Sequence, residues 1–321
     1  MTAAPDPSRL RMMIHRTEQS AQHRHSAAHP AAVNRIAVGV DGYPEGRDAV
    51  ALGVAFARAT GAELMLVAVH PDPLVVLPKG MDWKGMHEQA RATLAEARDA
   101  SAPDARIAVE TDLSVARALH RVVRREHRDL LVVGSSRHAE EGRVRIGKRT
   151  RQLLCHFECA LAVAPRGMHA NPEVEFTRIG VGYDGSPESE AALALGGAVA
   201  VAADAELHVL GVVDDRMPTN GWSSVWLGEM TTEWQAIVRE ELGSLRKHAA
   251  EAAHRTGASV ETQAVPGRPA DALLQLSGDV DLLVIGSRRW GPAARVLLGS
   301  TGEAVLHDAA CPVLAVPRPA S

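Results

Sequence analysis

From Arg35 onward, short unbroken apolar runs alternate with stretches whose apolar residues recur three and four positions apart. Runs of Val, Ile and Leu suit strands buried on both faces of a parallel sheet, and the intervening period suits the helices that cover it. The pattern predicts strands at 35–41, 63–70, 105–111, 129–134 and 160–164, with helices near 44–60, 84–100, 114–127 and 148–157. It then begins again. Strands are expected at 178–184, 205–213, 258–265, 280–286 and 312–316, and helices near 187–203, 227–256, 268–277 and 299–309. Ser186-Pro187 places a capping hydroxyl before a first-turn proline. Ser300-Thr301-Gly302-Glu303 has the spacing of a capping box.

The two halves share more than a pattern. Arg35-Ile36-Ala37-Val38-Gly39-Val40-Asp41-Gly42 returns as Arg178-Ile179-Gly180-Val181-Gly182-Tyr183-Asp184-Gly185. Leu130-Leu131-Val132-Val133-Gly134-Ser135 returns as Leu282-Leu283-Val284-Ile285-Gly286-Ser287, and Cys159-Ala160-Leu161-Ala162-Val163 as Cys311-Pro312-Val313-Leu314-Ala315. A period of about 150 residues is a duplicated domain, far longer than a solenoid repeat. The expected organisation is a tail over 1–33, a first domain over 34–167, a linker over 168–176 around Pro172, a second domain over 177–317 and a short tail over 318–321. The fold class is α/β: two tandem doubly wound five-stranded parallel sheets with helices on both faces. The fifth strands are apolar edges that need covering, so they should meet near a pseudo-two-fold axis.

Composition narrows the function. With 321 residues and 46% apolar content, the chain can bury two cores. A net charge of −4 gives no reason to expect nucleic acid as a partner. No apolar stretch is long enough to span a bilayer, and no secretory leader is visible, so no membrane partner is expected. Three cysteines, Cys155, Cys159 and Cys311, suit a reducing, cytoplasmic setting without a disulfide framework. Cys159 and Cys311, equivalent positions ahead of apolar strands, read as packing residues. His15, His23, His25 and His29 lie in the tail with nothing to fix a metal geometry.

Ligands of open α/β sheets bind beyond the carboxyl ends of the strands. Both first strands end there in Asp-Gly, at Asp41-Gly42 and Asp184-Gly185. Such a carboxylate can hold a ribose hydroxyl, an adenine amino group or a metal, or can simply make a turn ahead of a helix. The fourth strands end at Gly134 and Gly286, and a long loop leads to a second glycine at the next helix start, Gly147 or Gly299. A helix start offers unpaired N–H groups and the positive end of a dipole to a phosphate. In the second copy Ser300 and Thr301 add hydroxyls; in the first, Lys148, Arg149 and Arg151 open the helix, with Arg137, Arg143 and Arg145 before it. Cations there oppose the helix dipole by about 0.3–1 kcal/mol each, which a bound anion would relieve; side chains splayed into water would relieve it too.

These blocks, above all Val-Gly-Tyr-Asp-Gly-Ser-Pro-Glu-Ser from Val181 and Val-Ile-Gly-Ser-Arg from Val284, resemble the universal stress protein family over about residues 34–317. The resemblance implies an adenine-nucleotide α-hydrolase-like fold. Its ATP-binding members carry Gly, two residues, Gly, nine residues, Gly, then Ser or Thr. Gly286, Gly299 and Ser300 match, with Arg289 in the second glycine's place and Gly291 two residues on. In the first copy Gly134 and Gly147 match, but Arg137 and Lys148 depart from the pattern. The resemblance makes Asp184 and Asp41 the first-strand aspartates and Val212 and Val69 the adenine-contacting valines. It implies ATP or a related adenine nucleotide as cofactor, with or without Mg²⁺, held more readily by the second domain. It further implies an intrachain pseudo-dimer, with a homodimer left open, and an unidentified protein partner.

The first strand lacks the Gly-x-Gly-x-x-Gly of a dinucleotide fold, and there is no Walker loop and no nucleophile elbow. No catalytic constellation stands out. The expectation is a stress sensor or regulator without dedicated catalysis. The alternatives are a scaffold whose pockets are empty or hold another anion, and a slow ATPase.

Overall fold

The computed structural model describes residues 32–71, 83–154, 159–171, 173–216, 227–290, 295–297 and 299–317. Thus the tail expected over 1–33 falls almost wholly outside the described residues, as do the tail at 318–321, Cys155 and Gly291.

In the first half, β1 (Arg35–Gly39), α1 (Pro44–Thr60), β2 (Glu63–His70), α2 (Trp83–Ser101), β3 (Arg106–Thr111), α3 (Val115–Arg125), β4 (Leu130–Gly134), α4 (Lys148–Leu154) and β5 (Ala160–Ala164) follow one another. The second half repeats the order as β6 (Arg178–Tyr183), α5 (Pro187–Ala203), β7 (Glu206–Val213), α6 (Leu227–His254), β8 (Ser259–Pro266), α7 (Pro269–Leu276), β9 (Leu282–Trp290), α8 (Ser300–Asp308) and β11 (Val313–Pro317). One element has no counterpart: β10 (Arg295–Leu297) pairs antiparallel with the far end of β9. The strand expected to stop at Gly286 therefore runs on, because a returning segment supplies its partner.

Within each half the strands are parallel, with β1 between β2 and β4 and β6 between β7 and β9. The halves join through their fifth strands. Val313, Leu314 and Ala315 of β11 lie antiparallel to Val163, Ala162 and Leu161 of β5. The expected meeting of fifth strands is thus a hydrogen-bonded seam, and the two sheets form one sheet of order β3-β2-β1-β4-β5-β11-β9-β6-β7-β8. Ala162 and Leu314 are equivalent in the repeat, so the pseudo-two-fold axis passes between them.

Apolar residues fill both faces without a break at the seam. One core runs from Ile36, Leu52 and Phe56 through Ala162 and Leu314 to Leu193 and Val181. The other runs from Val122 and Leu131 through Leu161 and Val313 to Leu306 and Leu283. The segment between the domains is packed: Phe176 stacks on Phe56 with centroids 4.9 Å apart. The fully buried Asp48 carboxylate accepts from the Gly167 and His169 amides at 3.0 and 2.8 Å. The repeat also fixes its strand starts alike. Asp129 accepts from the Asn34 and Arg35 amides, and Asp281 from those of Thr177 and Arg178.

Candidate functional site

In the second domain the carboxyl ends of β6, β7 and β9 open into a cavity of about 320 Å³. That is near the lower end of the usual small-ligand range. Asp184, Val212, Gly286, Gly299, Ser300 and Thr301 all line it. The wall under Val212 is apolar, made by Leu210, Leu273 and Ile285. The opposite end is polar. Gly185, at φ 75°, turns the chain after Asp184 so that its carboxylate accepts from the Ser186 amide at 3.0 Å. Ser186 then caps α5 by accepting from the Ser189 amide at 3.2 Å, with Pro187 in the first turn. Tyr183 also lines the cavity, but its hydroxyl donates to Glu190 at 2.6 Å. Burial, then that bond, push the Tyr183 phenol above its usual range.

Two glycines here do different things. A Cβ on Gly286 would stand 2.6 Å from the backbone carbon of Glu188, so the fold itself needs glycine where α5 begins against β9. Gly299 is otherwise. Its backbone, φ −62° and ψ 166°, is open to any residue, and no described atom lies within 4 Å of where a Cβ would be. It is the N-cap of α8 and brings no side-chain acceptor, so among the described residues nothing caps the first-turn amides of Ser300, Thr301 and Gly302. Ser300 is the first helical residue, not the cap, and the capping box suggested by its spacing does not form. Arg289 lies on β9 opposite Val296; its side chain is outside the described residues.

In the first domain the equivalent residues are arranged differently. Gly42, at φ 78°, turns the chain after Asp41, which accepts from the Tyr43 amide at 3.2 Å. Desolvation raises the Asp41 carboxyl above its ordinary value even though the residue is exposed, and Arg149 acts in the opposite direction. Val69 is half-buried near the end of β2. A Cβ on Gly134 would lie 2.0 Å from the Glu45 carbonyl oxygen, the same packing need as Gly286. Gly147 precedes α4 with only Ser136 nearby, and Lys148 begins that helix. Arg137 contacts His138 at 3.4 Å.

The loop between β4 and α4 is not open. The Val144 and Ile146 amides donate to the Ala309 and Leu306 carbonyls of the second domain at 2.8 and 2.9 Å. Arg143 donates to the Asp308 carbonyl at 2.9 Å, and Arg151 pairs with Glu303 at 3.0 Å. Two of the cations grouped at this helix start in the sequence thus hold the neighbouring domain. Nothing in either copy alone could have announced that use.

A second, shallower groove of about 530 Å³ lies between the end of β8 and α6, walled by Trp234, Val238, Leu242 and Pro266. Its described lining includes Arg239 but none of the glycines and helix-start residues that line the first cavity. Among the described residues no helix is long and apolar enough to cross a membrane.

Comparison with known proteins agrees with this geometry. The universal stress protein family matches residues 32–165 and again 175–317. A universal stress protein of Mycobacterium tuberculosis is 29% identical over 296 residues, 89% of this chain and 97% of that one. A single-domain-length universal stress protein of Thermus aquaticus is 35% identical over 144 residues, 44% of this chain and 98% of its own. A solved universal stress protein from Archaeoglobus fulgidus superimposes with a TM-score of 0.61 at 17% identity, covering 89% of this chain and 99% of that one, a likeness of fold. With two matched domains, the two-copy sequence and the fused ten-strand sheet, the chain belongs to the universal stress protein family as a tandem-domain member.

Proposed function

We propose that the second domain binds ATP or a related adenine nucleotide, and that the chain acts as a stress sensor or regulator without dedicated catalysis. The observation that carries this is Gly299. Among the described residues nothing requires a glycine there, while a phosphate approaching uncapped amides does. The Ser300 and Thr301 hydroxyls and the dipole of α8 would serve the same phosphates. The apolar wall of Leu210, Val212 and Ile285 would take the base, and Asp184 would take a ribose hydroxyl or a Mg²⁺ carried with the nucleotide.

Calorimetric titration with ATP tests the reading. Gly299→Val should abolish binding while unfolding remains cooperative at an unchanged temperature. An unchanged affinity in that variant overturns the site. Nucleotide released on denaturing the purified protein would identify the natural occupant, and phosphate appearing on prolonged incubation with ATP would favour the slow ATPase instead.

For the first domain we propose a simpler occupant, an anion near Gly147 held by Lys148 and Arg149. The surroundings of Gly147 support this, since among the described residues only the Ser136 side chain stands near where a Cβ would be, which leaves that helix start approachable. In a Gly299→Val background, a melting temperature unmoved by millimolar phosphate or ADP would dismiss it.

A further inference from the structure

On the outer strands of the second domain, away from the cavity, one imidazole stands between two carboxylates. Glu206 and His208 are two residues apart on β7 and share a face of the sheet, and Glu261 is opposite His208 on β8. His208 Nδ1 lies 3.3 Å from Glu261, and Nε2 lies 3.3 Å from Glu206. The Nε2 atom is buried, yet its direction gives it no hydrogen bond. Both glutamates remain open to solvent.

The first domain shows what the repeat does at the same place when no ligand is needed. Pairing with Arg35 and Arg178 makes Glu63 the equivalent of Glu206. The strand registers then make Met65 the equivalent of His208 and Arg106 that of Glu261. There Glu63 is neutralised by Arg106 at 3.4 Å and by the buried Arg128 at 3.2 Å. The second domain has exchanged both cations. Glu261 replaces Arg106, and Val280 stands where Arg128 does, just ahead of the matching Asp281. Arg178, beside Glu206 on the sheet, makes none of the ion pairs found among the described residues. A neutral imidazole thus leaves two carboxylates with no partner charge. A proton on the ring removes half of that excess; a divalent cation removes all of it.

We propose that Glu206, His208 and Glu261 form a binding site for a Zn²⁺-like divalent cation. His208 Nε2 and a Glu206 carboxylate oxygen are the ligands, water completes the shell, and Glu261 accepts the Nδ1 proton. A carboxylate behind the ligating histidine fixes its tautomer and raises its basicity. The spacing suits the ion: two ligands at about 2.0–2.1 Å on a tetrahedral centre stand about 3.3 Å apart. Imidazole with carboxylate selects Zn²⁺ or Co²⁺ over Ca²⁺ and Mg²⁺, which prefer oxygen alone. Both ligands lie on β7, and Glu261 ties the site to the edge strand β8 through the histidine.

Equilibrium dialysis of the full chain against micromolar Zn²⁺ tests the proposal, with His208→Met and Glu261→Arg compared with the parent. Each substitution installs the residue that the first domain already tolerates. The parent should hold one more Zn²⁺ per chain than His208→Met, the other histidines contributing equally to both. Glu261→Arg should weaken that ion at least about tenfold, the usual effect of losing the carboxylate behind a ligating histidine. Co²⁺ in the parent should give a visible absorption band that His208→Met lacks and that Glu261→Arg shows only at higher Co²⁺. Equal Zn²⁺ content in all three chains, or none bound by the parent, overturns the site. If His208→Met does not fold, Glu261→Arg decides.

Discussion

The Ile146 amide of the first domain donates to the Leu306 carbonyl of the second at 2.9 Å. With Val144 and Arg143 it supplies donors to the last turn of α8, whose carbonyls have no partner within the helix. The same helix presents its first turn to the cavity of the second domain. One domain therefore finishes the helix on which the other would hold phosphate. Arg143→Ala should remove the charged donor, costing about 0.3–1 kcal/mol. Urea denaturation should show the loss as a lowered midpoint.

Gly134→Ala and Gly286→Ala should each destabilise by about 1–3 kcal/mol, since a methyl there meets the backbone of Glu45 or Glu188 and one element must move. Gly299→Ala should stay within about 0.5 kcal/mol of the parent. Denaturation midpoints of the three variants separate the glycines that serve packing from the one that does not.

Asp112 accepts from Arg117, Arg121 and the Ser114 amide, and the Arg117 hydrogen bond leads in holding its carboxyl well below the ordinary range. A carboxyl lowered in the folded state stabilises above its unfolded value of about 3.9, and that stability is lost as pH falls through the folded value. Asp112→Asn should therefore cost about 1–3 kcal/mol at pH 7 and progressively less below about pH 4. Chemical denaturation of both proteins between pH 2 and pH 7 gives the two curves; parallel curves would contradict the assignment.

Burial pushes the Cys311 thiol up to about 12. The thiolate is the reactive form, so Cys311 should resist alkylation at pH 8 in the folded protein and react on unfolding. Peptide mapping by mass spectrometry reads this directly.

The apolar runs made nearly every strand and helix legible, because parallel strands buried on both faces tolerate little else. What the sequence did not disclose depended on partners far along the chain. Arg288, Arg289 and Trp290 read as loop, and only pairing with Arg295–Leu297 makes them strand. His127, at φ 48°, ends the third helix earlier than its periodicity suggested. Gly134 and Gly286 read as sites of phosphate approach, whereas the close neighbour of each is the start of a helix. Arg143 and Arg151 read as surplus charge, which was the view from one domain alone. His208 falls within the strand expected over 205–213, and only the register sets it opposite Glu261.

The Arg151–Glu303 pair has a meaning beyond its small energy. Residues 151 and 303 follow Gly147 and Gly299 by the same four steps, so they are one position of the ancestral domain facing itself across the axis. Were either half to mate with its own kind, that position would set arginine against arginine or glutamate against glutamate. Like charges cannot be made complementary in a symmetric pair, whereas two unlike halves on one chain can settle on opposite signs. The duplication thus released each half from having to recognise itself. One half was left able to keep an open glycine and its hydroxyls, and the other to turn the corresponding loop into a brace.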